Sequence, residues 1–90
     1  MMVFRVKSST NVNKLAGALF TNIKNTDSLV MSCLGAGSLN QAIKAFITAK
    51  GIASPMGIDL KMDPYFATTS VDDNEKTVIE IKVYKEMKED

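Results

Sequence analysis

The chain has 90 residues, 46% of them hydrophobic and 23% charged, which is enough for one small domain with a modest core. It has no histidine and a single cysteine, which excludes Ser–His and Cys–His nucleophile pairs, histidine- or thiolate-bound zinc and an internal disulfide. We therefore expect no catalytic residues, no metal and no cofactor. The lone cysteine, with no signal peptide and no apolar run of membrane length, predicts a cytoplasmic protein.

The net charge of +1 conceals an uneven distribution along the chain. Residues 1–57 contain six basic residues and one acid, a net charge of +5, whereas residues 58–90 contain five lysines and nine acids, a net charge of −4. A basic half of this kind can form a surface that attracts a polyanion. The same charges also fit ordinary solvated positions, and composition alone does not separate the two interpretations.

The first part of the chain predicts a strand, a helix and a second strand. Apolar and polar residues alternate in VFRVK, residues 3–7, as in a strand. Apolar residues with the spacing of one helix face occupy residues 12–23 and predict an amphipathic helix. The apolar run at residues 29–34 predicts a central strand, in which Cys33 is a small core residue.

A glycine loop followed by a second helix spans GAGSLNQAIKAFITAK, residues 35–50. Ser38 followed three residues later by Gln41 matches a capping box, so the sequence predicts Ser38 as the N-cap. Gly51 is predicted to be the glycine that ends the helix. The apolar face must pack against another surface, and its residues are Leu39, Ala42, Ile43, Phe46 and Ile47.

The start of this second helix is a candidate anion site. Gly35 and Gly37 can adopt backbone angles closed to other residues and let another group approach the main chain. Free N–H groups and the positive end of the helix dipole meet there, which suits a phosphate. Asn40, Lys44 and Thr48 have the spacing of one polar stripe that begins at this end.

The last part of the chain predicts a β-hairpin. A third strand spans residues 58–71, with Pro64 marking a bulge or a sheet edge. An acidic turn at residues 72–75 leads into a fourth strand at residues 78–84.

Together these elements predict a single α+β domain in the order β-α-β-α-β-β. The expected architecture is a four-stranded mixed sheet with both crossover helices on one face. The domain is expected to cover residues 1–86, with a frayed tail at residues 87–90.

Several segments match the motifs of a known family. They are Lys7-Ser8 at the end of the first strand, LAGAL at residues 15–19, GAGSLNQAIKA at residues 35–45 and AKGIASPMGIDL at residues 49–60. On these segments the chain resembles the stage V sporulation protein S family, which is similar in turn to Alba, a small archaeal chromatin protein. The resemblance implies the fold above, a homodimer, and weak, salt-dependent binding of DNA or RNA without strong sequence preference. It also implies a regulatory role connected with sporulation and septation, and association with the nucleoid.

The resemblance further implies which residues bind the nucleic acid. The Alba-type surface uses basic and polar residues at the end of the first strand, the start of the first helix and the glycine loop. The matching residues here are Lys7, Ser8, Asn11, Lys14, Gly35, Gly37, Asn40 and Lys44. Alba also embraces DNA with a long basic hairpin, whereas the turn at residues 72–75 here is short and acidic. We therefore expect shallower and weaker binding than in Alba.

The glycine loop also allows a different interpretation. Gly35-x-Gly37 after a strand resembles the start of a dinucleotide-binding motif, with Asp59 as the ribose contact. The third glycine position, however, holds Asn40, and 90 residues leave no room for the second half of such a domain. The alternative function is a non-enzymatic regulatory module that binds a protein partner or a nucleotide through this loop.

Self-association is expected from the apolar surface. Phe46, Ile47 and the exposed side of the hairpin offer more apolar area than one small sheet can cover, which predicts a homodimer with two-fold symmetry.

Overall fold

The computed structural model describes residues 2–87 and has the predicted order of elements. The strands are β1 (Val3–Val6), β2 (Ser28–Cys33), β3 (Ile58–Val71) and β4 (Asn74–Met87), and the helices are α1 (Val12–Ile23) and α2 (Ala36–Ala53). A short 3-10 turn, Ser54–Met56, joins α2 to β3. The predicted fold class, one α+β domain with a four-stranded mixed sheet, is confirmed, and α1 has the predicted bounds.

The sheet has the strand order β1-β2-β4-β3. β1 and β2 are parallel and the other two pairs are antiparallel, so β2 is internal and β3 forms an edge, where a residue such as Pro64 is tolerated. Alternate residues of β2, Leu29, Met31 and Cys33, share one core with both helices, so both helices cover the same face. Burial raises the pKa of the Cys33 thiol, as expected for a core cysteine. We call the uncovered side of the sheet the open face.

α2 begins earlier than the capping box predicts. Its N-cap is Gly35, at φ 92°, a conformation that glycine adopts without steric cost. The Ser38 side chain is buried, with 2% exposed, and its hydroxyl donates to the carbonyl oxygens of Leu34 and Gly35 at 2.9 and 2.7 Å. Gln41 donates to the Thr10 carbonyl at 2.8 Å. The prediction of Ser38 as N-cap is therefore wrong, because both side chains of the apparent capping box have other partners.

The end of α2 also differs from the prediction. Gly51 lies inside the helix, which runs to Ala53 and continues into the 3-10 turn that contains Pro55. Gly57 has the left-handed conformation instead, at φ 78°, and its N–H donates to the Ser54 carbonyl at 3.1 Å. Gly57 is thus the glycine that ends the helical segment.

A cluster of three charged residues joins the end of α2 to β3. Lys50 Nζ lies 2.6 Å from Asp59 Oδ1 and 2.8 Å from the Leu60 carbonyl oxygen, and Lys61 Nζ lies 3.2 Å from Asp59 Oδ2. The hydrogen bond from Lys50, followed by that from Lys61, holds the pKa of Asp59 below its ordinary value. Asp59 therefore has a structural role and is not a free ribose contact.

β3 and β4 form a hairpin that is longer than predicted. Phe66 and Ile79 lie level with the C-terminal ends of β1 and β2, and β3 continues past them by five residues, which is roughly 17 Å. We call residues 67–78 the arm. Its turn consists of Asp72 and Asp73, both at positive φ, and β4 begins directly after them. The arm accounts for the elongated shape of the molecule, 49 Å in its longest dimension.

At its C-terminal end, β4 extends beyond the predicted domain limit. Met87 pairs with Ile58, so residue 87 belongs to the sheet and not to a tail. The predicted frayed residues 88–90 lie outside the described residues. Within residues 2–87, neither helix has the length and apolar character needed to cross a membrane.

Candidate nucleic-acid interface

The C-terminal ends of β1 and β2 and the starts of α1 and α2 meet at one end of the sheet, which we call the basic end. They meet because β1 and β2 are parallel and each is followed by a helix. The segments at this end contain seven of the predicted binding residues, Lys7, Ser8, Asn11, Lys14, Gly35, Gly37 and Asn40, and Lys44 lies two turns further along α2. The parallel pairing thus assembles the candidate site from two segments that are distant in the sequence.

Ser8 and Gly37 form a direct contact between these two segments. A Cβ atom on Gly37 would lie 2.8 Å from Ser8 Cβ, closer than two carbon atoms can approach without a shift. Glycine is therefore required at position 37 because Ser8 occupies the space of a side chain. This packing role accounts for the second glycine of the loop without a bound dinucleotide.

A hydrogen-bond network fixes the turn between β1 and α1 against α2. Gln41 Nε2 donates to the Thr10 carbonyl at 2.8 Å. Within the turn, the Thr10 N–H donates to the Lys7 carbonyl at 3.0 Å, and the Lys7 N–H donates to Thr10 Oγ1 at 2.8 Å. Sequence reasoning missed Thr10 and Gln41 as site residues, because the only signal, the spacing from Ser38 to Gln41, was interpreted as a local cap.

Asn11 is the N-cap of α1. Its side chain accepts a hydrogen bond from the Lys14 N–H at 2.9 Å. The side-chain oxygen of Asn11 is therefore already engaged, and only its amide group remains for another partner. The structure gives this predicted binding residue a role in the fold.

The start of α2 has no such cap. Within residues 2–87, no side chain caps its first N–H groups, and Gly35, Ala36, Gly37 and, one turn further, Asn40 are exposed. Its first turn contains no acidic residue, so no charge within that turn offsets the positive end of the helix dipole. Such a helix start is suited to an anion such as phosphate.

The three predicted lysines have exposed side chains. Lys7 follows β1, Lys14 lies in the first turn of α1, and Lys44 lies two turns inside α2. None of them forms an ion pair within residues 2–87. Lys44 follows Gly37 and Gln41 at helical spacing, so it lies on the side of α2 that faces the turn between β1 and α1.

A fourth basic residue, Arg5, also belongs to the basic end. Arg5 and Lys7 are two residues apart, point to the open face and line one cavity of about 190 Å³. The alternation in β1 marks Arg5 as exposed, but nothing local in the sequence connects it with the other binding residues.

The arm stands beside the basic end and is mixed in charge. It contains three acids and one base, a net charge of −2: Asp72, Asp73, Glu75 and Lys76. Lys76 pairs with Thr69 across the hairpin, and Glu75 pairs with Ser70, so these two charged side chains point to opposite faces. The tip is acidic, as the sequence indicates, but the open face of the arm carries a base.

Comparison with known proteins identifies both a family and a fold. The family model described as Stage V sporulation protein S matches residues 2–86. Among solved structures, Alba from Thermoplasma volcanium matches with a TM-score of 0.59 and 14% sequence identity, covering 92% of this chain and 96% of that chain. The family match confirms the resemblance seen in the sequence motifs, and the structural match shows an Alba-like fold.

Proposed function

The chain belongs to the stage V sporulation protein S family, and we propose that it binds nucleic acids through the basic end. Family and fold together support a small regulatory protein related to sporulation. The proposal adds the chemistry, which is contact with the phosphate backbone of DNA or RNA and little dependence on base sequence. We also propose that the protein is not an enzyme and that it acts in the cytoplasm, in association with the nucleoid.

The observation that carries this proposal is the uncompensated positive charge where the two helices begin. Neither α1 nor α2 has an acidic residue in its first turn, although an acid there stabilises a helix. Lys7, Lys14 and Lys44 add positive charge and form no ion pairs with the described residues. A polyanion is the partner that such a surface attracts.

The proposed mechanism has two parts. The lysine side chains displace counterions from the phosphates, and the release of these ions favours binding. The free N–H groups at the start of α2 donate to one phosphate and set its position. The contact between Ser8 and Gly37 holds the two segments at a constant spacing, so little ordering is required when the partner binds.

We expect weak binding with a shallow salt dependence. Each phosphate neutralised on duplex DNA contributes about 0.9 to the slope of log affinity against log salt, and one protomer offers few lysines for such contacts. The acidic tip of the arm repels phosphate, which opposes insertion of the arm into a groove. Backbone contacts alone carry no base specificity.

The direct test is a titration of labelled duplex and single-stranded DNA and RNA at several salt concentrations. The variant with both Lys14→Glu and Lys44→Glu should lose binding and keep its fold, because both side chains are exposed. Lys24→Glu is the matched control for Lys14→Glu alone, since Lys24 caps the opposite end of the same helix.

Two outcomes would change the proposal. No binding of any of the four nucleic acids, even at low salt, would contradict it and favour a module that binds a protein or a nucleotide through the glycine loop. Binding that survives the double charge reversal would keep the function but place the surface elsewhere.

We further propose that the protein forms a homodimer. Phe66 is 80% exposed and Ile47 is 61% exposed, and Phe66 lines a cavity of about 350 Å³ together with Leu39 of α2. The exposed apolar surface therefore connects the hairpin with α2, as at an interface. Phe46, assigned to this surface from the sequence, is only 7% exposed and belongs to the core. That part of the prediction is wrong.

Light scattering at micromolar protein tests the dimer against the 9.8 kDa mass of one chain. Phe66→Asp should give a folded monomer, because Phe66 is largely exposed in the single chain. Val3→Asp is the control, since Val3 is also exposed and lies on the strand at the opposite edge of the sheet. A wild-type protein with the mass of one chain would contradict the proposal.

A further inference from the structure

The open face of the sheet holds a cavity that shares one residue, Lys7, with the proposed mechanism. It has a volume of about 190 Å³ and lies between the end of β1 and the arm. Four polar residues line it, Arg5, Lys7, Ser32 and Thr69, and four apolar residues form the rest of its wall: Val6, Leu34, Val71 and Val78. The cavity exists because the arm extends past the ends of β1 and β2.

The register of the sheet brings the polar groups together. Arg5 pairs directly with Ser32 across β1 and β2, so both side chains point to the same face. Lys7 lies two residues beyond Arg5 and points to that face as well. Thr69 approaches from the arm, on the other side of the cavity.

These polar groups have no partners within the described part of the chain. Neither Arg5 nor Lys7 forms an ion pair with residues 2–87, in contrast to Lys50, which pairs with Asp59. The hydroxyls of Ser32 and Thr69 form no side-chain hydrogen bond within the same residues. Two cations and two hydroxyl donors thus face one cavity with their hydrogen-bonding capacity unused.

The charged side chains that line the cavity favour an anion. Lys76 pairs with Thr69 on the arm and adds a third positive charge on this face. The carboxylate of Glu80, which pairs with Ser32, lies on the same face, and Asp72 and Asp73 follow Val71 at the tip of the arm. Glu80 lies opposite Tyr65 on β3, and burial together with this carboxylate raises the pKa of the Tyr65 hydroxyl. Among the described residues, two cations and no carboxylate line the cavity itself.

We propose that this cavity binds a phosphate group, which pairs with Arg5 and Lys7 and accepts hydrogen bonds from the Ser32 and Thr69 hydroxyls. Arginine suits this role because its planar fork donates two parallel hydrogen bonds to phosphate oxygens. A terminal phosphate with a charge of roughly −1.5 to −2 near neutral pH matches the two lining cations better than a singly charged backbone phosphate. That the phosphate comes from the terminus of a nucleic-acid strand is an inference that rests on the proposed function. A phosphorylated small molecule offers the same chemistry.

The test compares ligands that differ only in one phosphate. A short single strand with a terminal phosphate should bind about tenfold more tightly than the same strand with a terminal hydroxyl, as expected for charge-assisted hydrogen bonds. In a second measurement, inorganic phosphate is titrated while the backbone amides are followed by NMR. The amides of Ser32 and Thr69 should shift.

Three variants test whether the preference for the phosphorylated strand depends on residues of the cavity. Thr69→Val keeps the shape of the side chain and removes its hydroxyl, and Arg5→Gln removes one lining charge; each should reduce the preference for the phosphorylated strand. Lys24→Gln removes the same charge at the far end of α1 and should preserve the preference. Equal losses in Lys24→Gln and Arg5→Gln would indicate a general charge effect and contradict the site.

The measurements separate this proposal from the proposed function. Absence of both the phosphate-dependent shifts and the preference for phosphorylated strands would overturn the cavity as a phosphate site. Shifts without that preference would support the cavity and identify a phosphorylated small molecule as its ligand. Shifts in a protein that binds no nucleic acid would support the cavity and contradict the proposed function.

Discussion

The two helices begin at the same end of the sheet, but their first turns are built differently. α1 is capped locally, because the Asn11 side chain accepts a hydrogen bond from the first turn. α2 begins at Gly35 without a side-chain cap. Instead, Gly37 and Gln41 hold its first turns against the turn between β1 and α1.

This difference determines which helix start is available to a partner. A local cap uses the N–H groups that would otherwise bind an anion. Contacts made through a glycine Cα and a glutamine side chain fix a helix start without using those N–H groups. The start of α2 can therefore be rigid without any side chain on its first N–H groups, whereas the start of α1 has one of its N–H groups, that of Lys14, engaged by the cap.

Gly37→Ala should have the largest effect on this arrangement. The added Cβ would lie 2.8 Å from Ser8 Cβ, so the free energy of unfolding should fall by about 1–3 kcal/mol, the usual cost of overpacking. Nucleic-acid binding should weaken too, because the turn that carries Lys7 must move. Urea unfolding and a titration of labelled DNA measure the two effects.

A second substitution tests the cause. The double variant with Ser8→Gly and Gly37→Ala lacks the colliding Ser8 side chain and should recover most of the lost stability and binding. A double variant no more stable than Gly37→Ala alone would show that the Ser8 contact is not what requires glycine at this position.

Two substitutions of Asn11 test whether the capped start of α1 takes part in nucleic-acid binding. Asn11→Ala should lower the free energy of unfolding by about 1 kcal/mol, since it removes an N-cap, and should leave nucleic-acid affinity unchanged. Asn11→Asp keeps a good cap but places a negative charge beside Lys14, so stability should hold and affinity should fall. If Asn11→Ala weakens binding as much as Asn11→Asp does, Asn11 contacts the nucleic acid and the two helix starts are functionally alike.

The sequence predicts the fold correctly where apolar residues recur at a regular spacing. The apolar spacing of residues 12–23 gave α1 its bounds, because a helix that packs on a core must repeat in this way. The start of α2 was not predictable, because Ser38 and Gln41 have the spacing of a local cap while the partner of Gln41 is Thr10, 31 residues away. Local patterns do not report such long-range partners.

For the candidate site too, the sequence predicts the local features and does not predict those that depend on long-range contacts. Sequence motifs place the predicted residues on two separate segments, and the parallel pairing of β1 and β2 brings those segments together. The contact of Ser8 with Gly37 and the inclusion of Arg5 depend on distances across the fold. The sequence predicts a shorter arm because the polar residues 74 and 75 are assigned to the turn and residues 76 and 77 to neither element, although a two-residue turn at positive φ suffices.

The glycines at the C-terminal end of α2 provide a comparison for those at its start. A Cβ on Gly51 would meet nothing within 4 Å, so Gly51→Ala should raise the free energy of unfolding by about 0.5–1 kcal/mol, the gain from replacing glycine inside a helix. Gly57→Ala should be destabilising, because φ is 78° there. A lower free energy of unfolding in Gly51→Ala would instead indicate that the helix ends at Gly51, as the sequence predicts.

The smallest effect is expected from the charged cluster that fixes the end of α2 to β3. Lys50 and Lys61 lower the pKa of Asp59, so the unfolded chain binds the proton more tightly than the folded one. A carboxyl of this kind stabilises the fold at pH above its unfolded pKa of about 3.9, and this contribution is lost as the pH falls through the lower folded value. Because the three side chains are partly exposed, the contribution should be small.

The matched comparison is wild type against Asp59→Asn, which cannot titrate, in urea unfolding from neutral pH down through that acid range. The stability of the wild type should fall more steeply, so the two proteins should converge as Asp59 becomes protonated. Parallel curves would show that Asp59 gains nothing from its lysines in the folded state. Nucleic-acid affinity at neutral pH should be equal in both proteins, because this cluster holds the end of α2 that is remote from the uncapped start.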